Sequence, residues 1–168
     1  IVSDLRAFPR AEDLEPRPVS LSEVASSAVS LGGIQLRQGV TFELRLDDVP
    51  PVLASPGRLG QIFLNLFLNA AQATTRRTEA LPIVTVRVEA SRHGEQVLVR
   101  VTDDGDGIPS ELHPQLFSPF FTTKPVGEGT GLGLYVSRDI VRSFGGELRL
   151  ESSSEAGSTF LLTLPAAT

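Results

Sequence analysis

Three side-chain amides lie at helical spacing within an otherwise apolar segment. Asn65 and Asn69 are four residues apart, and Gln72 follows three residues later. On an α-helix these positions share one face, and amides buried among apolar neighbours must find hydrogen-bond partners. They could form a structural network that caps neighbouring loops, or they could line a ligand pocket in which an amide oxygen binds Mg²⁺ that also holds phosphates. The helix alone leaves both interpretations open.

An acidic, glycine-containing turn follows a predicted strand. It runs from Asp103 to Pro109 and reads DDGDGIP. A carboxylate can accept a hydrogen bond from an exocyclic amine such as that of adenine, and the glycines let the backbone come close to a flat ring. A tight acidic turn is the alternative. A calcium loop of the EF-hand type is excluded, because its twelfth position requires Glu and counting from Asp103 places Pro114 there.

A glycine-rich segment leads into a predicted helix. It runs from Gly127 to Leu134 and reads GEGTGLGL. Free N–H groups at the start of a helix bind phosphate. The segment lacks the Gly-Lys-Ser/Thr ending of a P-loop, and an irregular segment precedes it instead of the strand that a dinucleotide-binding fingerprint requires. A flexible glycine hinge remains the alternative.

Three phenylalanines lie in a polar loop, between Leu116 and Lys124. Loops seldom carry that much apolar area, so Phe117, Phe120 and Phe121 could form a satellite core or could anchor a lid that closes over a ligand. Lys124 is a candidate phosphate contact because it stands next to the glycine-rich segment. A lone lysine is also commonly a solvated surface charge.

Helices and hairpins must position these groups. Ser55 and Pro56 predict the start of a long helix from roughly Gly57 to Thr75. Strands joined by short hairpins predict an α+β two-layer sandwich, with a mixed, largely antiparallel sheet packed against helices on one face. The other predicted elements are a short strand at Val19–Leu21, a helix from Ser20 to Gly32, a strand at Val40–Leu46, a hairpin of Ile83–Glu89 with Val97–Thr102, a helix at Leu132–Phe144 and a closing hairpin of Glu147–Glu151 with Thr159–Leu164.

The composition of the 168 residues suits one globular domain and excludes several functions. The absence of cysteine excludes disulfides, thiolate metal sites and cysteine nucleophiles. A net charge of −5 without a basic run argues against binding to nucleic acid or to anionic lipid. No stretch approaches the roughly 18 consecutive apolar residues of a membrane span. We expect a cytoplasmic domain without direct membrane contact.

Taken together, the order and spacing of the motifs resemble the ATP-binding family that unites histidine kinases, DNA gyrase B, MutL and related chaperones. The similarity covers about residues 18 to 165 and is most specific for the catalytic ATP-binding domain of two-component sensor histidine kinases. Within it, the stretch from Pro119 to Pro125 together with Asn69–Ala73 is similar to the nitrogen-regulation branch. Five segments of the chain look like the sequence motifs, or boxes, of that family. They are Asn65–Ala70 (N box), Asp103–Gly107 (G1 box), Phe117–Phe121 (F box), Gly129–Leu134 (G2 box) and Gly157–Phe160 (the final glycine motif).

The resemblance implies a Bergerat-type fold, a mixed sheet under three helices, with Mg-ATP under a long lid from about Pro109 to Thr130. It implies that Asp103 accepts from the adenine amine, that Thr159 supports the base through water, and that Asn69 holds Mg²⁺. Lys124 and Asn65 would position phosphates. The remaining nucleotide contacts that it implies are Gln72, Gly105, Gly107, Ile108, Gly129, Thr130, Gly131, Leu132, Gly133 and Leu134.

One position separates the reaction classes of this family. Hydrolysing relatives have a glutamate where this chain has Asn65, and an amide cannot act as a general base. The sequence therefore favours transfer of the γ-phosphoryl group to a protein acceptor. Its two histidines, His93 in a predicted hairpin turn and His113 before Pro114, are both expected at the surface. We expect the acceptor histidine on a dimerisation domain absent from this chain, and a response regulator downstream.

The first residues fit that expectation. Ile1 to Phe8 has apolar residues at helical spacing, and Pro9 ends the pattern. We place a boundary near Ala11, so that residues 1–10 form the end of a dimerisation helix with the start of a linker, and residues 11–168 form the catalytic ATP-binding domain. Because the chain begins with Ile rather than Met, we expect a fragment of a longer protein, which could carry a membrane anchor.

Three other functions remain open at this point. A serine kinase of the anti-sigma type shares these motifs, although the predicted helical segment at Ile1–Phe8 argues mildly against it. A nucleotide-gated interaction module would bind ATP or ADP and signal by docking, without forming phosphohistidine. A gyrase-like ATPase would show steady hydrolysis.

Overall fold

The computed structural model describes residues 14–33, 39–73, 84–123 and 131–167. Except for one short strand, the helices and longer strands follow the order that the hydrophobic patterns predict. The elements are β1 (Arg17–Val19), α1 (Leu21–Leu31), β2 (Val40–Arg45), β3 (Val52–Ala54), α2 (Pro56–Gln72), β4 (Val84–His93), β5 (Gln96–Asp103), a 3-10 helix (Ser110–Gln115), α3 (Gly133–Ser143), β6 (Glu147–Ser154) and β7 (Gly157–Pro165).

Five strands form one mixed sheet in the order β2-β4-β5-β7-β6. Only the β2–β4 pair is parallel within this sheet, and the other three pairs are antiparallel. One face of the sheet is buried, because alternate residues such as Val86, Val99 and Leu162 point into the core. This arrangement confirms the predicted α+β class.

Helix α2 lies at the centre of the helical layer, between α1 and α3. Ser55 caps its first turn, since the Ser55 Oγ accepts from the Arg58 N–H at 3.3 Å. The rings of Phe63 and Phe67 stack with centroids 5.4 Å apart, and Phe42 of β2 packs against Phe67 at 5.3 Å. These contacts fix α2 against the sheet.

The opposite face of the sheet is polar and carries ion pairs between its strands. Arg45 contacts Glu89 at 3.1 Å, and Arg100 donates two hydrogen bonds to Glu151 at 2.8 and 2.9 Å. The hydrogen bonds from Arg100 lower the pKa of Glu151. This face is therefore distinct from the one that meets the helices.

Some elements differ from the expectations. The strand β3 is unpredicted, and it forms an antiparallel ribbon with β1, which lies two residues earlier than expected. The predicted irregular segment after β5 contains the 3-10 helix. The predictions for Ile1–Phe8 and for a boundary near Ala11 fall outside the described residues. No helix among the described residues is long and apolar enough to cross a membrane.

Candidate functional site

The side chain of Asn65 ties α2 to the start of α3. Its Nδ2 donates to the Gly133 carbonyl oxygen at 3.3 Å and to the Ser137 Oγ at 3.1 Å. Ser137 is fully buried, so its hydroxyl depends on partners within the protein. The amide at position 65 therefore holds the glycine-rich start of α3 against the middle of α2.

The end of α2 contacts the acidic turn that follows β5. Gly105 packs so closely on Ala73 that an added Cβ would lie 2.7 Å from the Ala73 Cβ. The Asp106 N–H also donates to the Ala73 carbonyl oxygen at 3.4 Å. Only glycine fits at position 105 with this approach, which explains one of the glycines of the DDGDGIP turn.

Asn69 lies between these two contacts on the same face of α2. Asn65, Asn69 and Ala73 are spaced by four residues, and a rise of about 1.5 Å per residue makes the distance from Asn65 to Ala73 about 12 Å. Asn69 is half-buried, and its side chain makes no hydrogen bond to any residue that the structure describes. Gln72, also half-buried, is one residue before the Ala73 contact. The amide of Asn69 is thus available along a face that joins the two glycine-containing segments.

Asp103 is the buried acid of the site. Its side chain is at the end of β5 and the residue is only 5% exposed. Burial raises the pKa of Asp103, while hydrogen bonds from the backbone N–H groups of Gly105 and Ser158 lower it, and the charge of Asp104 raises it. The Gly105 N–H donates to Oδ1 at 2.9 Å. An ionised carboxylate has further lone pairs and can accept from an additional donor.

The predicted role of Thr159 does not fit the register of β7. Thr159 pairs with Thr102, and their hydroxyl oxygens lie 3.0 Å apart on the polar face of the sheet. Side chains alternate along a strand, so Thr159 points away from the face that carries Asp103. The residue opposite Asp103 is Ser158, whose buried side chain faces the helical layer. Ser158, which the sequence analysis did not select, replaces Thr159 as the candidate beside the base.

Helix α3 begins with a first turn that could hold an anion. Its N-cap residue, Leu132, makes no side-chain capping hydrogen bond, which leaves the N–H groups of the first turn without the usual side-chain partner. Gly133 and Leu134 form the start of this turn, beside Asn65. A helix N-terminus with free N–H groups favours phosphate.

The phenylalanine-rich segment is anchored at Phe117. The Phe117 ring meets Phe160 edge to face at 6.4 Å, and the Arg138 guanidinium lies 4.8 Å from its centroid. Phe120, in contrast, is 74% exposed and has a positive φ of 66°. The sequence left two interpretations of these phenylalanines open, a satellite core and an anchor. Phe117 fits both, because it packs on Phe160 of the core and thereby attaches the segment to it.

Gly131 joins that segment to the start of α3. Its φ is +68°, and an added Cβ would lie 2.7 Å from the Cα of Phe120. The backbone at Gly131 therefore needs glycine for two independent reasons, its left-handed conformation and its close contact. Three predicted contacts of the same region, Lys124, Gly129 and Thr130, fall outside the described residues.

The described residues thus bring together most of the predicted site. The turn after β5 and the start of α3 each contact α2 through the pairs described above. Among the described residues, no group of three or more His, Cys, Asp or Glu side chains could hold a metal ion. A metal at this site would need most of its oxygen ligands from a bound molecule.

Comparison with known sequences agrees with this geometry. Residues 54–168 match the family described as histidine kinase-, DNA gyrase B-, and HSP90-like ATPase. The sensor histidine kinase ZraS of Escherichia coli strain K12 is 37% identical over 168 residues, which cover 98% of this chain and 34% of ZraS. The sensor protein FixL of Bradyrhizobium diazoefficiens is 37% identical over 169 residues, which cover 99% of this chain and 32% of FixL. The chain spans about a third of the length of these relatives.

Solved structures are similar over nearly the whole chain. The catalytic domain of histidine kinase ThkA, in a nucleotide-free form, superposes with a TM-score of 0.75 at 30% identity, covering 90% of this chain and 96% of that one. Full-length ShkA in complex with AMPPNP has a TM-score of 0.75 at 25% identity, covering 99% of this chain and 35% of that one.

Proposed function

Because the chain belongs to the family of histidine kinase-, DNA gyrase B- and HSP90-like ATPases, we propose that it is the catalytic ATP-binding part of a sensor histidine kinase. In this function it binds Mg-ATP between α2, α3 and the turn after β5. It then transfers the γ-phosphoryl group to a histidine on a dimerisation domain.

One observation carries this proposal, namely that α2 contacts two glycine-containing segments from one face. The acidic turn lies at Ala73, the start of α3 lies at Asn65, and Asn69 lies between them. The separation of about 12 Å along the helix suits a ligand with a flat base at one end and phosphates at the other. The two ends also differ chemically, as the two parts of a nucleotide require. The acid Asp103 is at the end where the base would bind, and the N-terminus of α3 is at the end where the phosphates would bind.

Base recognition would rest on Asp103. A buried carboxylate accepts hydrogen bonds and donates none when ionised, so it favours the exocyclic amine of adenine over the carbonyl oxygen of guanine. The backbone N–H groups of Gly105 and Ser158 already orient it. The complex of ShkA with AMPPNP, an adenine nucleotide analogue, is consistent with this base.

Asn69 fits a magnesium ion that arrives with the nucleotide. Mg²⁺ binds proteins through one or two oxygen ligands and takes the others from phosphates and water. The unpartnered amide of Asn69, halfway between the two ends of the site, supplies one such oxygen. When bound, the ion would neutralise charge on the phosphates.

The transfer step needs no base from Asn65. An acceptor imidazole nitrogen would attack the γ-phosphorus, the bond from that phosphorus to the β,γ-bridging oxygen would break, and ADP would leave with the electron pair. Asn65 lacks a basic group that could activate water, which favours transfer over hydrolysis. Within this chain, the contribution to the step is positioning, by the start of α3 and by Lys124.

The acceptor would lie outside these residues. His93 is exposed at the end of β4, and His113 is held by the Ile108 carbonyl oxygen at 2.9 Å. Neither is presented on a helix of the kind that carries an acceptor. We propose that residues 1–10 are the end of a dimerisation helix with the start of a linker, that residues 11–168 are the catalytic domain, and that a response regulator acts downstream. A place in the nitrogen-regulation branch is part of the same proposal.

Calorimetry and phosphotransfer together test this function. The chain should bind ADP and ATP but not GTP, and it should phosphorylate a purified dimerisation domain on histidine. Asn69→Ala should abolish Mg-ATP-dependent transfer and weaken ADP binding in the absence of Mg²⁺ much less.

The matched control is Gln96→Ala, which removes an exposed amide at the start of β5 and should change neither property. Steady hydrolysis without phosphohistidine would indicate an ATPase instead. Absence of adenine-nucleotide binding would refute the proposal.

A further inference from the structure

The turn that faces the proposed base is held by two side chains, one bound to the N–H of Ile108 and one to its carbonyl oxygen. We call Gly105–Ile108 the base-binding turn, because it begins two residues after Asp103. The Ile108 N–H donates to the Ser153 Oγ at 2.7 Å, and the Ile108 carbonyl oxygen lies 2.9 Å from the His113 Nε2. Both backbone polar groups of Ile108 are therefore bound by side chains from other segments.

The contact with His113 has a defined direction. A carbonyl oxygen can only accept, so the imidazole must carry its hydrogen on Nε2. Both the imidazolium and the Nε2–H tautomer of neutral imidazole meet this requirement. His113 lies in the 3-10 helix that begins two residues after Ile108, and its side chain is half-buried.

The contact on the other side continues to Asp103. The Ser153 Oγ lies 2.8 Å from the Ser158 Oγ, and the Ser158 backbone N–H is a hydrogen-bond partner of the Asp103 carboxylate. The hairpin of β6 and β7 thus supports both the acid and the turn. Gly107 adds to this support, since an added Cβ would lie 2.7 Å from the carbonyl carbon of Ser154.

We propose that His113 is a positioning residue for the nucleotide base, which acts by fixing the Ile108 carbonyl and with it the base-binding turn. This inference rests on the proposed function. It also connects the base-binding turn to the phenylalanine-rich segment. His113 is bonded to Ile108 of the turn and lies four residues before Phe117. Without the donor at position 113, the backbone of Ile108 would be held by a side chain only at its N–H, by Ser153, and the turn would sample orientations that do not fit the base.

Two substitutions at position 113 separate the hydrogen bond from the bulk of the side chain. His113→Leu keeps an apolar side chain of similar length and removes the donor. His113→Gln keeps a donor, since the amide nitrogen of glutamine reaches about as far as the Nε2 of histidine. His93→Leu is the matched control, because His93 is the other histidine of the chain and is exposed at the end of β4.

Calorimetric titration of the whole chain with ADP and with adenosine gives the decisive measurement. His113→Leu should weaken both ligands by the same factor, roughly fivefold, which corresponds to one lost hydrogen bond. His113→Gln should recover affinity to within roughly twofold of the parent chain, and His93→Leu should match the parent. Equal affinities for His113→Leu and the parent would overturn the proposal, as would a glutamine variant as weak as the leucine variant.

A second pair of variants tests the proposal even if the substitutions at position 113 prevent folding. Ser153→Ala removes the hydrogen bond to the N–H of Ile108, the other backbone group of the same residue, and should also weaken ADP and adenosine equally. Ser152→Ala, an exposed serine on the same strand, should have no effect. If the Ser153→Ala and Ser152→Ala variants bind ADP and adenosine equally well, the side-chain hydrogen bonds to Ile108 have no role in positioning the base. Failure of the parent chain itself to bind ADP would refute the proposed function, whereas binding unaffected by these changes refutes only this inference.

Discussion

Replacing Asp103 with Asn should weaken adenine nucleotides without unfolding the domain. The substitution keeps the size of the side chain and removes its charge at a position that is 5% exposed. The Gly105 N–H can still donate to the amide oxygen of Asn, over the 2.9 Å that now separates it from Oδ1. The NH₂ group, however, can no longer accept a hydrogen bond from the adenine amine.

The size of the effect follows from the kind of hydrogen bond that is lost. A hydrogen bond to a charged group contributes about 1.5–3 kcal/mol. Each 1.4 kcal/mol corresponds to a tenfold change, so the affinity for ADP should fall by about 10- to 150-fold. Stability should change less, because removing a buried charge offsets the loss of one backbone acceptor.

The dependence on pH provides a second test. As the pH rises, ADP binding and the stability of the fold should change in opposite directions. Burial raises the pKa of Asp103 in the folded chain above the usual 3.8. Protonation therefore favours the folded state, so the stability from Asp103 is fully present below pH 3.8 and is lost as the pH rises through the folded pKa. Binding of ADP needs the ionised form, so it should strengthen over the same interval. Asp103→Asn should remove both trends.

Calorimetry with ADP and thermal unfolding across pH measure both quantities. Asp104→Asn is the matched control, because Asp104 is the adjacent acid, is exposed, and accepts from the Thr85 N–H at 2.9 Å at the start of β4. It should bind ADP like the parent chain. Equal losses of affinity in both variants, or an unchanged affinity in Asp103→Asn, would show that Asp103 does not contact the base.

Three further substitutions test other parts of the site. Gly131→Ala should reduce ATP affinity at least tenfold in a calorimetric titration, because its φ of +68° and its contact with Phe120 exclude a Cβ. Asn65→Leu should lower the free energy of unfolding in urea by about 1–3 kcal/mol, since Ser137 loses a buried partner. Ser158→Ala should weaken ADP binding while Thr159→Ala leaves it unchanged, and the reverse order would restore the original assignment.

The parts of the fold that the sequence predicts well are those determined by local rules. Ser55 before Pro56 marked the start of α2 correctly because capping depends on neighbours three residues away. The hairpin of β4 and β5 was predicted for the same reason, since its turn and its alternation are both local. Predicted ends that differ by a residue, such as Phe144 against Ser143 for α3, reflect the gradual end of a helix.

The ribbon of β1 and β3 was missed because its cause is tertiary. Val52 to Ala54 is a run of three residues after two prolines, too short to show a period. It becomes a strand by pairing with Arg17–Val19, more than 30 positions earlier in the chain. Val19 and Val52 pair and are both buried, so the ribbon closes one edge of the core, and no local pattern contains that information.

The prediction of Thr159 beside the base depends on a strand register that the sequence does not reveal, and the register favours Ser158. Alternation within β5 already predicts that Asp103 points the same way as Val99 and Val101. Which residue of β7 stands beside it depends on the register between the two strands, which places Ser158 opposite Asp103. A shift of one residue would exchange the two faces, and adjacent hydroxyl residues give no compositional sign of the correct one.

Asn65 shows how one side chain can have two physical reasons for its identity. An amide lacks the basicity that hydrolysis requires, which was the argument from sequence. The structure adds that its Nδ2 donates to the carbonyl oxygen of Gly133 and to Ser137, and a glutamate has no hydrogen to donate when ionised. An ionised glutamate here would therefore lose the hydrogen bond to the Gly133 carbonyl oxygen. Asn65 therefore combines two properties: it cannot act as a base, and it supports the start of α3. Hydrolysis measures the first property and unfolding measures the second.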